Sequence, residues 1–87
     1  MYLHLGQNTV IPYGAVIGIF DLDVTTQSNQ TRSFLTGAQK KGLVETVGDE
    51  LPASFVLCQR DGKTRVYLSQ ISSATLGKRA RANMLDT

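Results

Sequence analysis

Three groups of residues in this chain could do chemistry. His4 and Cys58 are its one histidine and one cysteine, and an imidazole that withdraws a thiol proton makes a nucleophile. Asp21 and Asp23, in "FDLD", fall on one side of an extended segment, where two carboxylates could suit a divalent cation or an acid/base pair. The third group is basic. Lys78, Arg79 and Arg81 cluster in "QISSATLGKRARAN", and Arg32, Lys40, Lys41, Lys63 and Arg65 stand elsewhere; such side chains can neutralise phosphates.

The first two groups have simpler readings. Cys58 sits inside the apolar run "SFVLCQ", where a free thiol is ordinarily a small buried hydrophobe, and His4 alternates with Tyr2 along a short strand. A bound cation needs several oxygen ligands, so the two aspartates read as solvated or as partners of a cation such as Arg32. The chain has no phosphate-binding glycine loop, nucleophile elbow or metalloprotease helix. An enzyme is therefore not expected, nor a metal, a cofactor or a small-molecule substrate. Binding remains.

The elements that must position these residues follow from local pattern. "YLHL" and "TVIPYGAVIGIFDL" are rich in Val, Ile, Tyr and Phe with a turn at Gly6 to Asn8, which predicts a hairpin. Pro12 and Gly14 predict a bulge, bend or edge position in its second strand. "TTQSNQ" ends that strand and offers Ser28 or Asn29 as an N-cap. From Thr31 to Lys41 the spacing is helical, with Phe34, Leu35 and Ala38 on one face, Lys40 away from it and Gly42 placed as a left-handed cap. "LVETV", "SFVLCQ" and "RVYLSQI" read as strands, the last two joined by a hairpin turn at Asp61-Gly62. A final helix capped by Ser72 or Ser73 sets Leu76, Gly77, Ala80 and Met84 on one face and Lys78, Arg79 and Arg81 on the opposite half.

The fold class is thus α+β: a small, mostly antiparallel sheet of about five strands with two helices, one between strands two and three and one C-terminal. A single domain over residues 1–83 with a short tail at 84–87 accounts for the whole chain. A chain of 87 residues buries only about 60 to 65% of the surface its unfolded form exposes. With one cysteine and no zinc spacing to staple it, a homo-oligomer is expected, and the small residues Gly77 and Ala80 would let the Leu76/Ala80/Met84 face approach a sheet or a neighbouring subunit. No run approaches the ~18 apolar residues of a membrane span, and the free thiol suits a reducing compartment, so the cytoplasm is expected. The formal net charge is +2, but residues 60–87 hold six cations against two carboxylates. That basic third favours an acidic partner.

Five blocks, "MYLHLG", "VIGIFDLD", "TRSFL", "LPASFVL" and "VYLSQISSATLGKRA", together resemble the bacterial RemA/RemB family of extracellular matrix regulators, on its RemB-like side. The resemblance covers residues 1 to about 80. It implies a small cytoplasmic protein linked to transcription of biofilm matrix genes. A sister branch binds DNA as a ring of subunits whose exterior arginines hold phosphates, so double-stranded DNA and a ring-like assembly are the partners implied. Residue by residue, the family's basic positions fall on Arg32, Lys41, Lys78 and Arg79. Its paired turn arginines fall at Leu51 and Pro52, behind Asp49 and Glu50, and a further arginine falls near Gly14 or Ala15, so those positions depart from the pattern.

Two functions follow as expectations. The first is an oligomeric DNA-binding transcriptional regulator that grips phosphates through Arg32, Lys41, Lys78, Arg79 and Arg81, with Lys40, Lys63 and Arg65 in reserve. The second is a scaffold or partner protein that leaves DNA alone and modulates another regulator, with Leu76, Ala80 and Met84 as its subunit interface.

Overall fold

The computed structural model describes residues 1–25 and 27–85, excluding the side chains of residues 25 and 83–85. Strand β1 (Tyr2–Gly6) turns through Gly6 and Gln7, both at positive φ, into β2 (Thr9–Pro12), and the two make an antiparallel ribbon. Alternation buries Leu3, Leu5 and Ile11 beneath the ribbon and leaves Tyr2, His4 and Val10 on its outer side. After Pro12 the chain makes a 3₁₀ turn, Tyr13–Ala15, before β3 (Val16–Asp21) joins a different sheet.

That turn corrects the strand count. The interruption expected at Pro12 to Gly14 divides one segment between two sheets, giving six strands among the described residues in place of about five. Proline supplies no N–H to continue a ladder, so its position is where pairing can change partner. The first strong helix accordingly falls between the third and fourth strands.

The larger sheet has the order β3-β5-β6-β4, where β4 is Val44–Thr46, β5 Ser54–Arg60 and β6 Lys63–Ser69. β3, β5 and β6 pair antiparallel, and β4 runs parallel to β6. The β5–β6 turn is tight because Asp61 and Gly62 both take positive φ, 54° and 78°, as a two-residue hairpin of the primed type requires. β3 and β4 lie at opposite edges, so after the short helix α1 (Leu22–Thr25) the intervening helix α2 (Asn29–Lys40) crosses one face of the sheet. Ser28 caps its start by accepting from the Thr31 N–H, and Gly42 at φ 72° lets the chain leave it.

Strand alternation sorts the core into two sides. Phe55, Val66 and Ala38 pack with Leu35, Leu43 and Leu68 beneath α2, and Phe20 stacks on Phe55 with ring centroids 4.8 Å apart. Phe34, expected on the same buried face of the helix, lies at its margin and is exposed. On the other side Val56 and Cys58 pack with Leu3, Leu5, Ile11 and Leu76, beneath the ribbon and the last helix, α3 (Ser73–Leu85). The molecule therefore has three layers: α2, the four-stranded sheet, then the β1–β2 ribbon with α3.

Two buried serines join these layers. Ser69 Oγ donates to the Leu5 carbonyl at 2.7 Å and accepts from the Ile71 N–H, while Ser54 Oγ donates to the Ile71 carbonyl at 2.7 Å. Satisfied in this way, hydroxyls that would be costly to bury instead fix the corner between β6, β1 and α3.

α3 starts at its Ser72 cap, whose Oγ accepts from the Thr75 N–H, and continues past residue 83, the expected end of the domain. Its apolar face turns inward: Leu76 is 0% exposed and Ala80 9%. Leu76 and Ala80, expected as part of a subunit interface, are consumed by the chain's own core, where α3 packs against β1 and β3; Gly77, expected on the same face, is set off from that contact, since a Cβ there would meet only the Arg81 side chain. The side chain of Met84, the third residue of that face, lies outside the described residues.

Candidate functional site

Structure separates His4 from Cys58. Cys58 is 4% exposed beneath the ribbon, and burial pushes its thiol up to about 11, so it stays protonated at neutral pH. His4 stands on the ribbon's outer side with Nε2 2.7 Å from the Gln7 carbonyl oxygen. The aspartates are divided by a change of secondary structure: Asp21 ends β3 and its Oδ1 accepts from the Val24 N–H at 3.0 Å, capping the short helix α1 (Leu22–Thr25) that contains Asp23. The extended reading of "FDLD" is corrected by that helical turn. Among the described residues no cluster of three or more His, Cys, Asp or Glu side chains could hold a metal ion.

The cations fall into three groups. Arg32 and Lys40 line the outer side of α2 with Ser33, Thr36 and Gly37, and Lys41 is its C-cap; all three cations are exposed. The Arg32 guanidinium also donates to Asn29 Oδ1. Lys78, Arg79 and Arg81 are exposed on α3, where Arg79 Nη1 donates to the His4 carbonyl at 3.2 Å and fastens the helix to β1. These two groups lie on opposite sides of the sheet, so the residues expected to grip phosphate do not form one surface on one copy.

The third group was less legible. Arg60 pairs with Lys63 across the β5–β6 ladder, and Cys58 pairs with Arg65. Alternation puts Arg60, Lys63 and Arg65 on the ribbon side of the sheet with Cys58 and Tyr67. Between the end of β2 and the β5–β6 hairpin they line a groove of about 390 Å³ whose other walls are Val10, Ile11, Pro12, Ala15 and Asp61. The sequence pattern gives Lys63 and Arg65 only a reserve role and does not set Arg60 apart. The signal that could have found it is the Asp61-Gly62 turn, which dictates that residues 60 and 63 face one another. Burial first, then the charges of Glu45 and Cys58, raise the Tyr67 hydroxyl, while Arg65 and Arg60 draw it down.

The positions where the family pattern has turn arginines lie in the loop from Gly48 to Ala53. Gly48 has φ 88°, and Gln70, at the end of β6, reaches under it. With its amide oriented to satisfy both partners, the Gln70 oxygen accepts from the N–H groups of Asp49 and Glu50 at 2.8 and 2.5 Å. Leu51 projects beyond them, 90% exposed. This turn presents an apolar side chain and two carboxylates, and no cation.

No protein-family model matches the chain. Over 81 residues, 93% of this chain and 91% of the relative, it is 36% identical to extracellular matrix regulatory protein B of Bacillus subtilis (strain 168). The chain belongs to the extracellular matrix regulatory protein family. The resemblance read from the sequence, RemB-like side included, is thereby borne out. In this RemB-like chain a match of that length includes residues 7–81 wherever it begins, so it takes in α2, the Gly48 to Ala53 loop, the groove cations and the α3 cations. Among the described residues no helix is long and apolar enough to cross a membrane.

Proposed function

We propose that this family member is an oligomeric, DNA-binding regulator of matrix-gene transcription that holds the duplex mainly through its phosphates. The observation that carries the reading is the end-to-end similarity to a protein named as an extracellular matrix regulator. α3 is the layer assigned to the duplex. Lys78, Arg79 and Arg81 fall within four residues on its exposed side, whereas Arg32 and Lys40 sit eight residues apart on the far layer. Among the described residues no aromatic or Asn/Gln/Arg constellation for reading base edges accompanies them, so specificity comes from spacing and DNA deformability.

Assembly is what makes a charge of +2 per chain useful, since affinity rises with the number of phosphates neutralised together. With Leu76 and Ala80 spent inside the chain, the surface apolar residues left for contact between copies include Tyr2, Val10, Ile17 and Leu51. The deciding experiment is a mobility-shift titration with DNA from upstream of matrix genes. Retention at micromolar protein in ~50 mM salt, where phosphate contacts are strongest, and its loss in the Lys78→Glu/Arg81→Glu variant are expected; unshifted DNA under those conditions overturns the reading.

One observation favours a second reading. Leu51 at 90% exposure beside Asp49 and Glu50 suits a protein partner better than a phosphate, as in a scaffold that modulates another regulator. Purified protein that leaves DNA free, yet recovers a regulator from cells through wild-type Leu51 and not through Leu51→Lys, would establish that alternative in place of the first.

A further inference from the structure

We propose that the groove between the β1–β2 ribbon and the β5–β6 hairpin binds a small phosphate monoester with an apolar or planar body, one molecule per chain. The first argument is electrostatic. Arg60 and Lys63 are direct cross-strand partners, and like charges facing one another across a ladder destabilise it. Arg65, the third cation of the same lining, adds to the repulsion, and the groove's lining contains a single carboxylate, Asp61. An anion between these side chains relieves that repulsion, and arginine can hold a phosphate by two parallel N–H···O bonds.

The second argument is shape. The cations share a concavity of about 390 Å³ with the apolar residues Val10, Ile11, Pro12 and Ala15 and with Tyr67, a volume within the range of roughly 300 to 1,000 Å³ typical of small-molecule sites. The phosphates of a duplex could reach the cations, but its bases are paired and stacked, so it offers no free planar or apolar body to fill the space between the apolar walls. Charge separates the two sources as well: a phosphate monoester carries about −1.5 to −2 at pH 7, against a single charge on each diester of nucleic acid. Three cations beside apolar walls fit the monoester. The groove and α3 are separate surfaces, so the proposal stands independently of DNA binding.

The test is equilibrium dialysis of the full chain against AMP, phenyl phosphate and hexyl phosphate, with adenosine and inorganic phosphate as partial ligands. Saturable binding of at least one monoester, one per chain, is expected, with adenosine and inorganic phosphate at least tenfold weaker. Lys63→Glu/Arg65→Glu should weaken it at least tenfold, and Lys78→Glu/Arg81→Glu, which changes the net charge equally, should weaken it less than twofold. Circular dichroism of both variants confirms that they fold. Failure of all three monoesters to saturate, equal binding of inorganic phosphate, or equal losses in the two variants would each overturn the proposal. If the groove variant instead loses only duplex retention, the groove is a nucleic-acid surface and the proposal falls.

Discussion

Cys58 holds its proton more tightly in the folded chain than in the unfolded one, and that difference has a measurable consequence. Its usual value is 9.0 and burial raises it to about 11. Between those two pH values the unfolded chain has released the proton while the native chain keeps it. The unfolded state then binds fewer protons, so stability present below about pH 9 falls as pH rises towards 11, by up to roughly 3 kcal/mol for two units. Tyr67, also raised, contributes in the same direction at high pH. Urea unfolding of wild type and Cys58→Ala across pH 8 to 11 separates the two, because the alanine variant keeps only the Tyr67 component. Parallel curves for the two proteins would show that the Cys58 thiol ionises alike in both states. The ribbon separates buried Cys58 from the outer side on which His4 stands, so the histidine and cysteine of this chain are structural neighbours of other groups and not of each other.

At the level of elements, the Gly48 loop shows how a glycine and a distant side chain specify one corner. Gly48 takes φ 88°, and a Cβ there would drive into the amide of Gln70; Gly42 takes φ 72° with nothing near its would-be Cβ. Gly48→Ala should therefore cost more stability than Gly42→Ala, because the Gln70 amide must leave the Asp49 and Glu50 N–H groups to make room, whereas the penalty at Gly42 is the backbone strain of about 1 kcal/mol alone. In a Gln70→Ala background the extra cost should disappear, and a double-mutant cycle by denaturant unfolding checks it. Additive effects would mean that Gln70 does not fill the space above Gly48. Such turn and cap chemistry was legible beforehand: Ser28, Gly42, the Asp61-Gly62 turn and Ser72 all act as their residue types dictate. Two matters were not. Proline at position 12 signals that a strand is interrupted, but the pairing that follows depends on contacts forty residues away, between β3 and β5. An amphipathic pattern likewise shows that α2 and α3 each bury one face, without showing which side of the sheet covers it. That is why Leu76 and Ala80 could be read as facing a neighbour, and why the basic residues could not be sorted into layers before the topology was known.

For the whole molecule, the layered arrangement decides how charge can act. The shortest extent of the chain is 23 Å, well beyond the Debye length of about 8 Å at physiological ionic strength, so the α2 and α3 cations on opposite faces act as separate fields. A duplex seated on α3 should therefore be nearly indifferent to the cations of α2. Arg32→Glu/Lys40→Glu and Lys78→Glu/Arg81→Glu change the net charge by the same amount, which makes them a matched pair. The measurement is the slope of log affinity against log salt, where each phosphate contact contributes about −0.9 for B-form DNA. Relative to wild type, the α3 variant should lose about one unit of slope for every phosphate it releases, together with most of its affinity at low salt, while the α2 variant keeps the wild-type slope. Equal losses would mean that neighbouring copies turn both layers to the duplex. A loss confined to the α2 variant would move the interface to the opposite side of the sheet, and with it the orientation of every copy in the assembly.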